Sequence, residues 1–176
     1  VLDCSGSMSG AKLEKAKQAA SLLVDQLDAE DIFSLVVYDT GAQILLPAAP
    51  VGERRSEIRS VISRLDTGGS TALYAGVELG GRELDEFFAR ERINRVLLLS
   101  DGIANIGPSS NEEIARLGSR LAKLGRSVTT IGLGDDYNET LMIALAEASD
   151  ANNYYVADVE TLPDVFAKEL GELAWL

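Results

Sequence analysis

Apolar residues recur along this chain with two periods, and the switches between them mark out its elements. Leu13, Ala16, Ala20, Leu23 and Leu27 step by three and four, so Lys12 to Leu27 reads as a helix with one inward face. Ile32 to Tyr38, IFSLVVY, is rich in branched and aromatic residues and reads as a strand. Ala42 to Leu46 reads as a second, shorter strand. It follows Asp39-Thr40-Gly41, a connection short enough for a hairpin, so it is expected to be antiparallel and to lie at an edge. Pro47 and Pro50 are expected to stop it. Glu53 to Leu65 has helical spacing, with Ile58, Val61, Ile62 and Leu65 inward, and Thr67 to Thr71 is a loop. Ala72 to Arg90 reads as a long helical stretch, with an interruption expected near Gly80-Gly81.

Val96 to Leu99 is an unbroken apolar run, the signature of a parallel strand covered on both faces. Ser109 to Glu113 opens a helix with a polar cap and an acidic first turn; it runs to about Leu124 and is ended by Gly125. Val128 to Leu133 is a strand, Glu139 to Ala148 a helix, Tyr154 to Val156 a short strand, and Leu162 to Leu173 a final helix. Val1 to Asp3 reads as the last piece of a buried strand, so the first strand is expected to be truncated and the authentic N-terminus to lie upstream. The alternation implies an α/β fold, a doubly wound, mostly parallel sheet with helices on both faces. Ligands of such sheets bind at the carboxyl ends of the strands, where the strand order reverses. Three polar clusters fall on that rim: Asp3-x-Ser5-x-Ser7, the loop carrying Thr71, and Ser100-Asp101-Gly102.

Composition narrows what those clusters can do. A chain of 176 residues with 46% hydrophobic and 25% charged residues suits one globular domain. The net charge of −12 repels nucleic-acid backbones and attracts cations, and it also describes an ordinary soluble acidic surface. The single cysteine, Cys4, allows no internal disulfide. With no histidine anywhere, Ser-His-Asp and Cys-His catalysis are excluded and a zinc site is disfavoured. A metal held here is held by oxygen, which means a hard cation such as magnesium, manganese or calcium. No apolar run approaches the ~20 residues of a membrane-spanning helix, and no signal peptide is visible, which leaves the compartment open.

The opening stretch VLDCSGSMSG admits two readings. Asp3, Ser5 and Ser7 can cap the helix that follows, or they can gather three oxygen donors on one side of the chain as it turns over the rim. Asp101 follows an apolar strand, as Asp3 does, and an Asp-Gly there is also an ordinary turn. Gly68-Gly69-Ser70-Thr71 is an unremarkable loop alone. Together, two aspartates at strand ends, two serines and a threonine supply five oxygen side chains to one rim. Cys4 alternates to the opposite side and reads as a small buried hydrophobe. Tyr74 reads as packing, Asn105 as a polar loop residue that could touch a partner, and Tyr154 and Tyr155 as one inward and one outward residue. Trp175 reads as packing on a neighbouring domain.

Asp3-Cys4-Ser5-Gly6-Ser7, Thr71 in GGSTAL and Asp101 in LLLSDG closely resemble the von Willebrand factor A domain family, and the similarity extends over nearly the whole chain. The resemblance implies a Rossmann-like three-layer α/β/α sandwich spanning 1–176, with six strands in the order 3-2-1-4-5-6 and strand 3 antiparallel. It implies a complete metal-ion-dependent adhesion site in which Ser5, Ser7 and Thr71 reach the ion while Asp3 and Asp101 act mainly through waters and hydrogen bonds. The ion is expected to be Mg2+, with Mn2+ or Ca2+ as alternatives. The open coordination position takes an Asp or Glu carboxylate from a protein partner.

The function expected on this basis is a metal-dependent, adhesion-type protein-binding module without catalytic residues, part of a larger multidomain protein, neither binding nucleic acid nor inserting in a membrane. An extracytoplasmic or cell-surface place is slightly favoured. In some relatives the final helix shifts with the metal site, which makes Leu162 to Leu176 the segment for such coupling here. Bacterial A domains also serve beside AAA+ ATPases in assembly or metal-insertion complexes, a second reading. A magnesium-dependent phosphatase is a third and weaker one, because the acid/base aspartate it needs two residues after Asp3 is replaced by Ser5.

Overall fold

Strand β1 (Leu2–Asp3) lies at the centre of a six-stranded sheet. In this computed structural model, which describes residues 1–171, β1 pairs in parallel with β2 (Ile32–Tyr38) on one side and β4 (Arg95–Ser100) on the other. Leu2 faces Val37 and Leu99. Outside β2 lies β3 (Ala42–Pro50), and outside β4 lie β5 (Ser127–Leu133) and β6 (Asn153–Val156). The order is β3-β2-β1-β4-β5-β6 with only β3 antiparallel, the arrangement the resemblance implied.

The period of two along the strands divides the core into two layers. Leu2, Val37, Leu99 and Ile131 face α1 (Ala11–Gln26), α2 (Arg55–Ser63) and α6 (Leu162–Gly171). Val96, Leu98 and Val128 face α3 (Leu73–Glu83), α4 (Asn111–Lys123) and α5 (Glu139–Ala148). The polar cap expected before α4 is a reciprocal capping box: Ser110 accepts from the Glu113 backbone N–H, and the Glu113 carboxylate accepts from that of Ser110.

Two elements differ from the sequence pattern. β3 does not stop at Pro47 but continues to Pro50, because it is an edge strand and the register with β2 slips between Phe33 and Val36, where a missing N–H leaves no ladder bond unmade. α3 is not broken at Gly80-Gly81 and does not reach Arg90; it runs through the glycines and ends at Glu83. Those glycines serve close packing. A Cβ on Gly80 would stand 2.4 Å from Val1 Cγ2, and one on Gly81 2.7 Å from Leu121 Cδ2. Among the described residues no helix is long and apolar enough to cross a membrane. The expected end of the last helix at Leu173, and Trp175, lie outside the described residues.

Candidate metal centre

The rim cluster begins where β1 ends. Asp3 is fully buried, and both its oxygens are engaged. Oδ1 accepts from the Ser5 backbone N–H at 2.9 Å and from the Ser5 hydroxyl at 2.6 Å. Oδ2 accepts from the Ser100 hydroxyl at 2.7 Å. Ser100, at the end of β4, in turn accepts from the Tyr38 hydroxyl at 3.0 Å and the Gly102 N–H at 2.9 Å. Burial pushes the Asp3 carboxyl above its ordinary value; the bonds from Ser5 and Ser100 pull it down, and the charge of Asp101 adds to the upward push.

This network orients Ser5. A hydroxyl has one proton, and that of Ser5 goes to Asp3, so its lone pairs are left for other partners. Ser7 Oγ lies 3.2 Å away, presented by the single 3-10 turn Gly6–Met8.

Thr71 and Asp101 arrive from two other segments that backbone bonds lace to the first. Gly68 N–H donates to Cys4 O at 3.0 Å, and Gly6 N–H to Gly69 O at 3.1 Å. The buried Thr71 donates its N–H to the Asn105 side-chain carbonyl at 2.8 Å, while the Asn105 and Ile106 N–H groups return to Thr71 O, each at 3.1 Å. Asn105 thus joins the Thr71 loop to the loop after Asp101. Asp101 is fully buried; its Oδ1 accepts from the Ile103 N–H at 3.1 Å and its Oδ2 from the Lys12 ammonium at 3.3 Å.

The structure therefore gathers the three segments carrying Asp3, Ser5, Ser7, Thr71 and Asp101 at one rim. Four neighbours were not legible as participants. Ser100 read as part of the rim cluster but without a role toward Asp3, while Tyr38 and Lys12 read only as the end of a strand and the start of a helix. Asn105 read as a polar loop residue that could touch a partner, and its side-chain carbonyl pins Thr71. Cys4 is buried, and burial pushes its thiol up to about 12, which fits a packing role. Tyr74 packs against the α3–α5 layer. Tyr154 reaches beneath α6 to Glu169 at 2.7 Å, and Tyr155 is exposed and stacks on Tyr137.

The donor set suits a hard cation. Magnesium at about 2.0–2.1 Å from its ligands places adjacent octahedral oxygens roughly 2.9 Å apart, close to the separation of the two serine hydroxyls. Among the described residues no group of three or more His, Cys, Asp or Glu side chains forms a metal cluster.

The family model of the von Willebrand factor type A domain matches residues 1–168. An uncharacterised Escherichia coli (strain K12) protein, YfbK, is 31% identical over 175 residues, covering 98% of this chain; the chain spans 30% of that relative's length. A von Willebrand factor type A structure from Catenulispora acidiphila superposes with a TM-score of 0.82 at 24% identity, over 96% of this chain and 40% of that one. The structure of manganese-loaded Plasmodium vivax TRAP protein does so with a TM-score of 0.74 at 19% identity, over 96% and 70%. With the family model matched from Val1 into α6 and the strand order in agreement, the chain belongs to the von Willebrand factor type A domain family.

Proposed function

We propose that this domain is a metal-dependent protein-binding module whose cation is held at the β1–β4 rim and takes a carboxylate from a partner. The observation that carries the reading is the Ser5–Asp3 hydrogen bond of 2.6 Å, which commits the Ser5 proton to Asp3 and leaves its oxygen as an acceptor 3.2 Å from Ser7 Oγ. Ser5 and Ser7 are the direct ligands, with Thr71 a third, reached directly or through water. Asp3 fixes Ser5, and Asp101 holds water on the opposite side. When bound, Mg2+ or Mn2+ supplies a positive charge with an open coordination position. Because the direct ligands are neutral hydroxyls, most of that charge is left for an incoming Asp or Glu.

Binding rather than hydrolysis is favoured by Ser5 itself. It occupies the place where an acid/base aspartate would stand, and its proton is committed to Asp3. The manganese carried by the TRAP structure is in keeping with a hydroxyl-lined site that accepts such ions. Calorimetric titration of Mg2+ into wild type, Ser5→Ala and Asp3→Ala tests the reading, followed by a glutamate-rich peptide with and without chelator. Loss of metal binding in both variants, and loss of peptide binding with chelator, is expected. Unchanged Mg2+ affinity in Asp3→Ala overturns it.

A further inference from the structure

Two buried carboxylates stand at this rim, and they are compensated in different ways. Asp3 is satisfied by three hydrogen bonds from neutral donors. Asp101 has one backbone N–H on Oδ1 and an ammonium on Oδ2. That ammonium belongs to Lys12 in the first turn of α1, only five residues after Ser7. Its side chain is 19% exposed, and it is shared with Asp136, whose Oδ1 lies at 2.7 Å.

The placement is built into the backbone. Asp136 lies on the 134–138 connection between β5 and α5, and Asn138 N–H on the same connection donates to the Asp101 carbonyl at 2.7 Å. The lysine stem passes over Gly134, where an added Cβ would come within 2.5 Å of Lys12 Cε. Gly134 also has φ +84, so a glycine there serves both the turn and the passage of the stem. One cation thereby ties the rim of β4 to the connection after β5.

We propose that Lys12 is the built-in counter-cation of this site: it holds Asp101 and the 134–138 connection in place without metal, keeps metal affinity low, and lets the loaded site accept a second carboxylate. The inference rests on the metal-binding reading above. Asp3, Asp101 and Asp136 with Lys12 carry two net negative charges, which a divalent ion neutralises. Without Lys12 the loaded site would remain negative and would repel the partner's carboxylate. The lysine ammonium and the metal share Asp101, so each weakens the other's hold on it. Lys12 trades metal affinity for affinity toward an acidic partner.

Lys12→Met keeps the stem and removes the charge. It is expected to bind Mg2+ about ten-fold more tightly, the scale at which groups behind metal ligands act. It should bind a glutamate-rich peptide in saturating Mg2+ about ten-fold more weakly, and melt at a lower temperature than wild type in chelator. Asp136→Asn leaves the ammonium to Asp101 alone and is expected to weaken Mg2+ binding. Weaker Mg2+ binding in Lys12→Met overturns the proposal, because it would make the lysine a support that positions Asp101. Equal affinities for both metal and peptide overturn it too. Metal binding absent from wild type and present in Lys12→Met supports it; absence in both overturns it together with the metal reading. Binding that is intact in wild type but unaffected by either variant overturns this inference alone.

Discussion

Ser100 donates its hydroxyl proton to Asp3 Oδ2 over 2.7 Å, joining the ends of β4 and β1 across ninety-seven positions of sequence. Ser100 Oγ in turn accepts from the Tyr38 hydroxyl at the end of β2. Three adjacent strands thus meet at one hydroxyl, and the orientation of Asp3, and through it of Ser5, is fixed by the sheet rather than by the local turn.

Ser100→Ala is therefore expected to cost more than a surface change. It leaves Asp3 Oδ2 and the Tyr38 hydroxyl buried without their partner, a loss of about 1–3 kcal/mol. Urea denaturation measures the stability change, and Mg2+ titration should show weakened binding in the same variant.

Gly76→Ala should reach the site through packing alone. An added Cβ would stand 2.3 Å from Tyr38 Cδ1. The helix-propensity gain of about 1 kcal/mol is outweighed where overpacking costs about 1–3 kcal/mol. Lowered stability together with weaker metal binding is expected. A variant more stable than wild type would show that the Tyr38 ring can yield without disturbing Ser100.

Asn105→Ala separates positioning from stability. Asn105 is exposed, and the cost to the fold is that of the unpaired Thr71 N–H, about 1 kcal/mol. Thr71 loses the acceptor of its N–H, and Mg2+ affinity is expected to fall about ten-fold. Calorimetry and thermal melting on the same sample distinguish the two effects.

Glu169 governs the acid side of the stability profile. Burial pushes its carboxyl up, but bonds from Tyr154, Asn152, Thr129 and Arg95 outweigh burial and hold it below its ordinary value. A carboxyl depressed in the folded state binds protons more readily when unfolded. Its stabilisation is complete above the unfolded value of about 4.3 and is lost as pH falls through the folded value. Stability should drop more steeply below about pH 4.3 in wild type than in Glu169→Gln, measured by denaturation at stepped pH. Glu169→Ala leaves the mostly buried Arg95 unpaired and should cost about 3 kcal/mol. Because Glu169 lies on α6 and its partners on β4, β5 and the β6 end, that loss should appear as release of α6, read by hydrogen exchange.

Most elements were legible because their signals are local. The three–four spacing of Leu13 to Leu27 and the alternation in IFSLVVY state which residues face inward whatever surrounds them. The Asp39–Gly41 connection was short enough to make β3 antiparallel and β3 an edge. Pro47 and Gly80-Gly81 misled for one reason: each has a strong intrinsic effect on backbone that a neighbour overrides. Pro47 falls where the strand register slips at an edge, and the glycines sit where Val1 and Leu121 press against the helix.

The sequence by itself determined the alternation of strands and helices, the parallel character of the sheet, and which oxygen-bearing residues stand at strand ends. Only the tertiary structure decided how those residues are held. Tyr38, Ser100, Asn105 and Lys12 act on Asp3, Thr71 and Asp101 from positions between 34 and 97 residues away, or through one another. Hydrogen bonds and ion pairs of this range carry no periodicity in sequence, since their geometry exists only once the parallel strands are in register. The physical reason is directional: a hydroxyl or an ammonium is defined by its partner's place, whereas an apolar side chain needs only to leave water.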